Sequence, residues 1–357
     1  MKTILLNPGP VNVSDRVREA LNVPDLCHRE AEFFDLQDAI RGRLVDVFGV
    51  REGYTAVLLT GSGTAMVEAV IASAVPPAGR LLVLQNGVYG DRFAAIARAH
   101  HIECDVLSCP ITERHALDSV DTRLLAARPS ALAVVHHETT TGLLNDLGPI
   151  AALCRRRNVR LIVDAVSSLA GEHFDFAEWT PDAVACTANK CVQGLPGVSF
   201  ALVKREFMDV MRAYPERSLY LHLPRHFVEQ ERRSTPFTPA VQIAFALHEA
   251  LDELCLETVS ERIARYGRAS AIVRRGLANL GFELLLAEPL RSTTLTSVKL
   301  PLGVSYERLH DALKRSGFVI YAGQGPLASF IFRVAAMGDV AEADYRRFIA
   351  TLGAVMS

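Results

Sequence analysis

Several apolar runs in this chain stop on residues that can do chemistry. Leu161-Ile162-Val163 ends at Asp164, and Ala183-Val184-Ala185-Cys186 leads through Thr187-Ala188-Asn189 to Lys190. A carboxylate placed directly after a fully apolar strand has lost its water and needs a partner or a cleft. Lys190 is in a similar position, because a second apolar run, Val198 to Val203, follows it across the turn Gly194-Leu195-Pro196-Gly197. Such a lysine is either a loop residue of a hairpin or an amine held at a cleft edge for Schiff-base chemistry with a carbonyl. Two further run ends carry donors. Thr60-Gly61-Ser62-Gly63-Thr64 enters a helix. There, free N–H groups and the positive helix end would cradle a phosphate, or the segment is a plain strand-to-helix turn. Ala131 to His136 is followed by His137-Glu138-Thr139-Thr140-Thr141-Gly142. His136, His137 and Glu138 are metal-ligand types, but neighbours on a strand face opposite ways, so a metal is the poorer explanation.

The elements that must position these residues alternate. Strands are predicted at Tyr54–Leu59, Arg80–Leu84, Cys104–Leu107, Ala131–His136, Arg160–Val163, Ala183–Cys186 and Phe200–Val203. Helices are predicted at Ala65–Ala74, Tyr89–Ala99, Val120–Ala127 and Pro149–Arg157. Strands apolar on both faces imply a mostly parallel sheet of seven strands flanked by helices, with right-handed crossovers. Before it, Asn7-Pro8-Gly9-Pro10 is a rigid turn, and Ser14 caps a short helix to about Leu21. Phe33, Leu36, Ile40, Leu44, Val45 and Val47 form the stripe of an amphipathic helix. Beyond about residue 250 a long helical stretch, Pro239 to Leu280, leads to an α+β module. That module has strands at Thr293–Leu300, Phe318–Tyr321 and Phe330–Val334, and helices at Tyr306–Arg315 and Ala341–Leu352. The implied organisation is a segment 1–15 packing across the units, a large domain 16–250 and a small C-terminal domain 251–357.

In an open parallel sheet ligands bind at the carboxyl ends of the strands. Asp164, Lys190 and the donors at 62–64 share that rim. Pyridoxal phosphate explains all of them together. Its aldehyde takes a lysine, its ring nitrogen a carboxylate, and its phosphate a helix start. Its ring takes a flat neighbour, and Tyr89 opens the helix after the next strand.

The motifs LLNPGPVNV, GSGTAMVEA, NGVYGDR, HHETTTG, VDAVSS and TANKCVQGLPG make the chain similar, nearly end to end, to the class V aminotransferases of fold type I. HHETTTGLLN, ANKCVQGLPGVSF, RSLYLHL and GFVIYAGQG narrow the likeness to the phosphonate transaminases within that family. The resemblance implies ping-pong transfer of an amino group from 2-aminoethylphosphonate to pyruvate, or the reverse. It also implies a cytoplasmic homodimer with its active site at the subunit interface. By motif, Lys190 would be the covalent anchor and proton shuttle, Asp164 the partner of the ring nitrogen, and Tyr89 the stacked ring. Ser62, Gly63 and Thr64 would hold the phosphate, with Ser168 and Asn189 nearby and Thr139 beside the ring hydroxyl. Thr238 would come from the second subunit, and Arg333 would grip the substrate's acid group. Arg29, in Cys27-His28-Arg29-Glu30, is either a second anion ligand or a surface salt-bridge residue. That segment departs from the family's tryptophan- and aspartate-rich stretch, and Arg333 to Gly338 is more apolar than usual.

Composition fits an enzyme of this kind. The 357 residues have a formal net charge of −2, with no basic field for nucleic acid. No run approaches the roughly 20 apolar residues that span a bilayer. The N-terminal run breaks too early for a signal peptide. The seven cysteines are scattered, without a CxxC, which points to a reducing compartment. Three rivals remain: alanine– or serine–glyoxylate transamination, a cysteine desulfurase-like lyase, and a non-catalytic ligand-binding protein.

Overall fold

The computed structural model describes residues 3–356. Seven strands form the central sheet: β1 Tyr54–Thr60, β2 Arg80–Gln85, β3 Glu103–Ser108, β4 Ala131–Val135, β5 Arg160–Asp164, β6 Ala183–Thr187 and β7 Val198–Lys204. Their spatial order is β1-β7-β6-β5-β4-β2-β3. All neighbours are parallel except β7, which runs antiparallel to both β1 and β6. The sheet is therefore the mostly parallel one that the sequence implies. Helices cover both faces, and consecutive strand residues divide between them. Leu161 and Val163 join one apolar cluster, while Ile162 joins the other. Each such buried branched side chain contributes about 1.5–3 kcal/mol, which holds the polar strand ends in fixed places.

On one face lie α1 Ala31–Val47 and Leu147–Arg157; on the other lie α2 Gly63–Ala74 and α3 Val88–Ala99. A third cluster is built from Ile4, Leu6, Val273, Phe318, Phe332, Val334, Phe348 and neighbours around a three-stranded antiparallel sheet. The N-terminal segment touches both regions. Ile4–Leu5 pairs parallel with Phe318–Val319, whereas Val11 and Val13 join the first large cluster.

Two elements differ from expectation. The stretch Pro239 to Leu280 is two helices, Val241–Glu257 and Val259–Asn279, broken at Thr258. Thr258 sits at φ 70°, and its hydroxyl accepts from the Glu261 N–H at 3.2 Å. The Thr-x-x-Glu spacing is a capping signal inside an otherwise continuous periodicity. Phe318 to Tyr321 is also not one strand. Phe318–Val319 pairs with the N-terminus, and Tyr321–Ala322 pairs with Ile331–Ala335. The helices Arg205–Met211 and Leu223–Glu231 went unassigned from sequence.

His136, just past β4, lies edge-on to Phe174 at 5.4 Å and Trp179 at 5.5 Å, and burial pushes its pKa down to about 3. The unfolded histidine titrates near 6.5. Below that value the unfolded chain takes a proton that the folded chain refuses, so stability falls as pH drops through about 6.5. Replacing His136 by Phe should remove about 2 kcal/mol of the stability lost between pH 7 and pH 5. Urea unfolding at the two pH values measures it, and an unchanged loss would exclude His136 as a source.

Candidate active site

Asp164 is the last residue of β5, and its partner across the sheet is Ala185 of β6. Lys190 follows β6 by one turn. The Lys190 carbonyl accepts from Gln193 N–H at 2.9 Å, and the Ala188 carbonyl accepts from Gly194 N–H at 2.8 Å. Because β7 returns antiparallel, this turn is short and its backbone is pinned. Lys190 is 9% exposed, and Asp164 is 7% exposed. Both line an open cleft of about 600 Å³ counting the solvent at its mouth, together with Ser62, Gly63, Thr64, Tyr89 and Asn189. These sequence-predicted residues do come together.

At the cleft floor α2 begins. The Ser62 hydroxyl caps it by accepting from Ala65 N–H at 3.4 Å. A Cβ on Gly63 would stand 2.9 Å from a Val166 methyl, so the backbone approach there requires glycine. Arg92 donates to the Thr64 hydroxyl at 3.0 Å and lies 4.6 Å over the Tyr89 ring. Lys190 Nζ is 5.8 Å from the same ring centre. Burial works against ionisation of Tyr89. Lys190, a bond to Thr139, Arg92 and Arg333 outweigh it, and the phenol pKa falls below its ordinary value. Asp164 goes the other way. Burial raises its pKa, against the Val166 N–H bond at 2.9 Å and the Lys190 and Arg92 charges. A buried carboxylate with one backbone donor has capacity for a cationic or protonated partner in the cleft.

Other expected residues fall elsewhere. Ser168 is fully buried and its hydroxyl has no hydrogen-bond partner among the described residues; Ser167 lines the cleft instead. The tight turn in which Ser168 and Leu169 both donate to the Ala165 carbonyl carries Ser168 inward. Thr139 is buried beside the cleft, and its carbonyl accepts from Arg333 at 2.7 Å. Arg333 itself is buried in the strand Ile331–Ala335. Thr238 is exposed and lines a different depression with Tyr220 and Phe237. Arg29 is exposed in a turn before α1, away from the cleft lining of its own chain.

Sequence reasoning missed Arg92, Val166, His137 and Ser167 in the lining. Arg92 was readable, since it stands three residues after Tyr89 on the same helical face. His137 faces the cleft while His136 faces the aromatic cluster, which is the strand alternation that separated them. His137 Nδ1 is 3.2 Å from the Ser167 carbonyl, and burial lowers its pKa to about 3. The sequence marks Gly9 only as part of a rigid turn, not as a neighbour of Lys190. At φ 110° it lies against Lys190, where an added Cβ would stand 3.0 Å from Lys190 Cγ.

This arrangement offers an amine, a buried acid, a flat ring and a helix N-terminus around one cleft of small-molecule size, the layout of a fold type I aminotransferase. The class-V aminotransferase family matches residues 17–338, and the chain belongs to it. The chain is 38% identical to a 2-aminoethylphosphonate–pyruvate transaminase of Vibrio vulnificus, over 99% of this chain and 97% of the relative. It is 35% identical to the enzyme of the same name from Phocaeicola vulgatus, over 99% and 98%. The crystal structure of an alanine–glyoxylate aminotransferase from Nostoc superposes with a TM-score of 0.95 at 28% identity, covering 100% of this chain and 96% of that one. Family and fold imply pyridoxal phosphate. The cradle at Gly63, the underpartnered Asp164 and the Lys190 amine fit that group.

Gly9→Ala combines a left-handed backbone with a side chain against Lys190. It should cost about 1–3 kcal/mol, read as a lower thermal unfolding midpoint. An unchanged midpoint would mean the N-terminal segment is free to move off Lys190.

Proposed function

We propose that this aminotransferase moves the amino group of 2-aminoethylphosphonate to pyruvate, giving phosphonoacetaldehyde and alanine, or runs the reverse. The observation that carries it is the near full-length similarity to transaminases of that name, joined to a cleft that Lys190 and Asp164 both line. In this proposal Gly63, Thr64 and the Ser62-capped helix start hold the cofactor phosphate, with Asn189 close by. Tyr89 would stack on the ring, and Val166 lines the same cleft. Thr139 would hydrogen-bond near the ring hydroxyl, and Thr238 would reach the phosphate of the partner subunit in a homodimer. Pyridoxal phosphate supplies an electron sink for the carbon that loses its proton.

The chain's own groups do the rest. Asp164 keeps a proton on the ring nitrogen, a role that suits a carboxylate whose burial demands a cationic partner. Lys190 takes a proton from the donor carbon and returns it to the neighbouring one, from a backbone pinned at 188–194. Arg333 orients the substrate by its acid group, since a planar guanidinium matches phosphonate or carboxylate oxygens. The alternative, a glyoxylate-type aminotransferase, is favoured by the fold of the Nostoc enzyme.

A donor panel separates them. Mixed with purified holoenzyme, 2-aminoethylphosphonate should bleach the cofactor's visible band faster than serine does. Bleaching by serine alone would select the alternative. Asp164→Asn should slow the donor half-reaction at least about 100-fold with the band still present. A rate within a few-fold of the native enzyme would remove Asp164 from the chemistry.

A further inference from the structure

Arg333 commits most of its donors to the protein. Its Nε donates to the Ala322 carbonyl at 2.8 Å, and Nη1 donates to the Thr139 carbonyl at 2.7 Å and to Gln324 Oε1 at 3.2 Å. Nη2 makes no hydrogen bond among the described residues. A substrate acid that uses both terminal nitrogens must therefore take the Nη1 proton now given to Gln324. Arginine only donates. The Gln324 amide must accordingly present its oxygen to Arg333, and its NH2 has no partner among the described residues.

Gln324 is held where this matters. It lies between two glycines, just after the short strand Tyr321–Ala322. A Cβ on Gly323 would stand 2.1 Å from the Leu327 carbonyl oxygen, and Gly325 has φ 53° and packs against Val88. Val88 precedes Tyr89, and its N–H donates to the Thr140 hydroxyl at 3.2 Å. The Gln324 backbone is thus fixed between Arg333 and the cleft's aromatic wall, while its side chain is only half-buried.

We infer that Gln324 sets the preference for a phosphonate over a carboxylate, an inference that rests on Arg333 being the acid-group ligand proposed above. When an acid group takes Nη1 and Nη2, Gln324 releases Arg333 and turns its NH2 toward the ligand. A carboxylate has spent both oxygens on the guanidinium. A tetrahedral phosphonate keeps a third, and the Gln324 amide donates to it. Hydrogen bonds to charged groups are worth roughly 10- to 100-fold in affinity, and this one is available only to the phosphonate.

The test compares donor half-reactions of 2-aminoethylphosphonate and L-alanine in the native holoenzyme, Gln324→Leu and Gln324→Glu, each checked for the native cofactor absorption band. Both variants should lose more on the phosphonate than on alanine, by about tenfold or more in kcat/KM. Gln324→Glu keeps the shape and the bond to Arg333 but places a like charge against the ligand, so its deficit should be the larger. Equal losses on the two donors, or none, would overturn the role of Gln324 and leave the substrate assignment standing. A native enzyme that ignores 2-aminoethylphosphonate would instead refute the substrate assignment, and this inference with it.

Discussion

The site depends on the pairing of β7, antiparallel, between β1 and β6. A parallel neighbour would need a crossover of a dozen or more residues, and Lys190 would then sit on a long connection. The antiparallel return takes the chain from Thr187 to Val198 through a helix-free loop pinned by hydrogen bonds at 188–194, with Gln193 at φ 64° and Gly197 at φ 129°. The same arrangement sets β5 beside β6, so Asp164 lies on the rim from which Lys190 projects. On the other side it brings β1, and with it the start of α2, to the same cleft. The sheet order therefore brings Lys190, Asp164 and the start of α2 to one cleft.

Around that frame the electrostatics are lopsided. Lys190, Arg92 and Arg333 all bear on Tyr89 and lower its pKa, while Asp164 is a buried carboxylate held above its usual range. Such an excess of positive charge beside a buried acid suits an anionic ligand carrying one cationic ring position. It also accounts for the commitment of Arg333 to Thr139, Ala322 and Gln324. A buried guanidinium without those acceptors would carry a large desolvation cost.

Much of this was legible in the sequence because it follows from strand ends. Apolar runs identified the sheet, and the residue types at their ends identified Asp164, Lys190 and the glycine turn at 61–64. What was not legible depended on tertiary geometry. Nothing local tells Ser167 from Ser168, since a single tight turn decides which faces the cleft. Gly9 lies far from Lys190 in sequence and meets it only because the N-terminal segment crosses between clusters. The break at Thr258 was hidden by unbroken helical periodicity, and only its capping spacing marked it. Gln324 lies inside the motif GFVIYAGQG, but the motif assigns it no role, because its significance is a bond to Arg333.

The central claim is that Lys190 is the covalent anchor. The chain has five lysines, Lys2, Lys190, Lys204, Lys299 and Lys314. Lys204 pairs with Asp182, and Lys299 pairs with Glu283. Borohydride reduction of the enzyme loaded with pyridoxal phosphate, followed by peptide mass spectrometry, reads the attachment point directly. The added mass should fall on the peptide that carries Lys190. A cofactor fixed to any other lysine, or to none, would contradict the account.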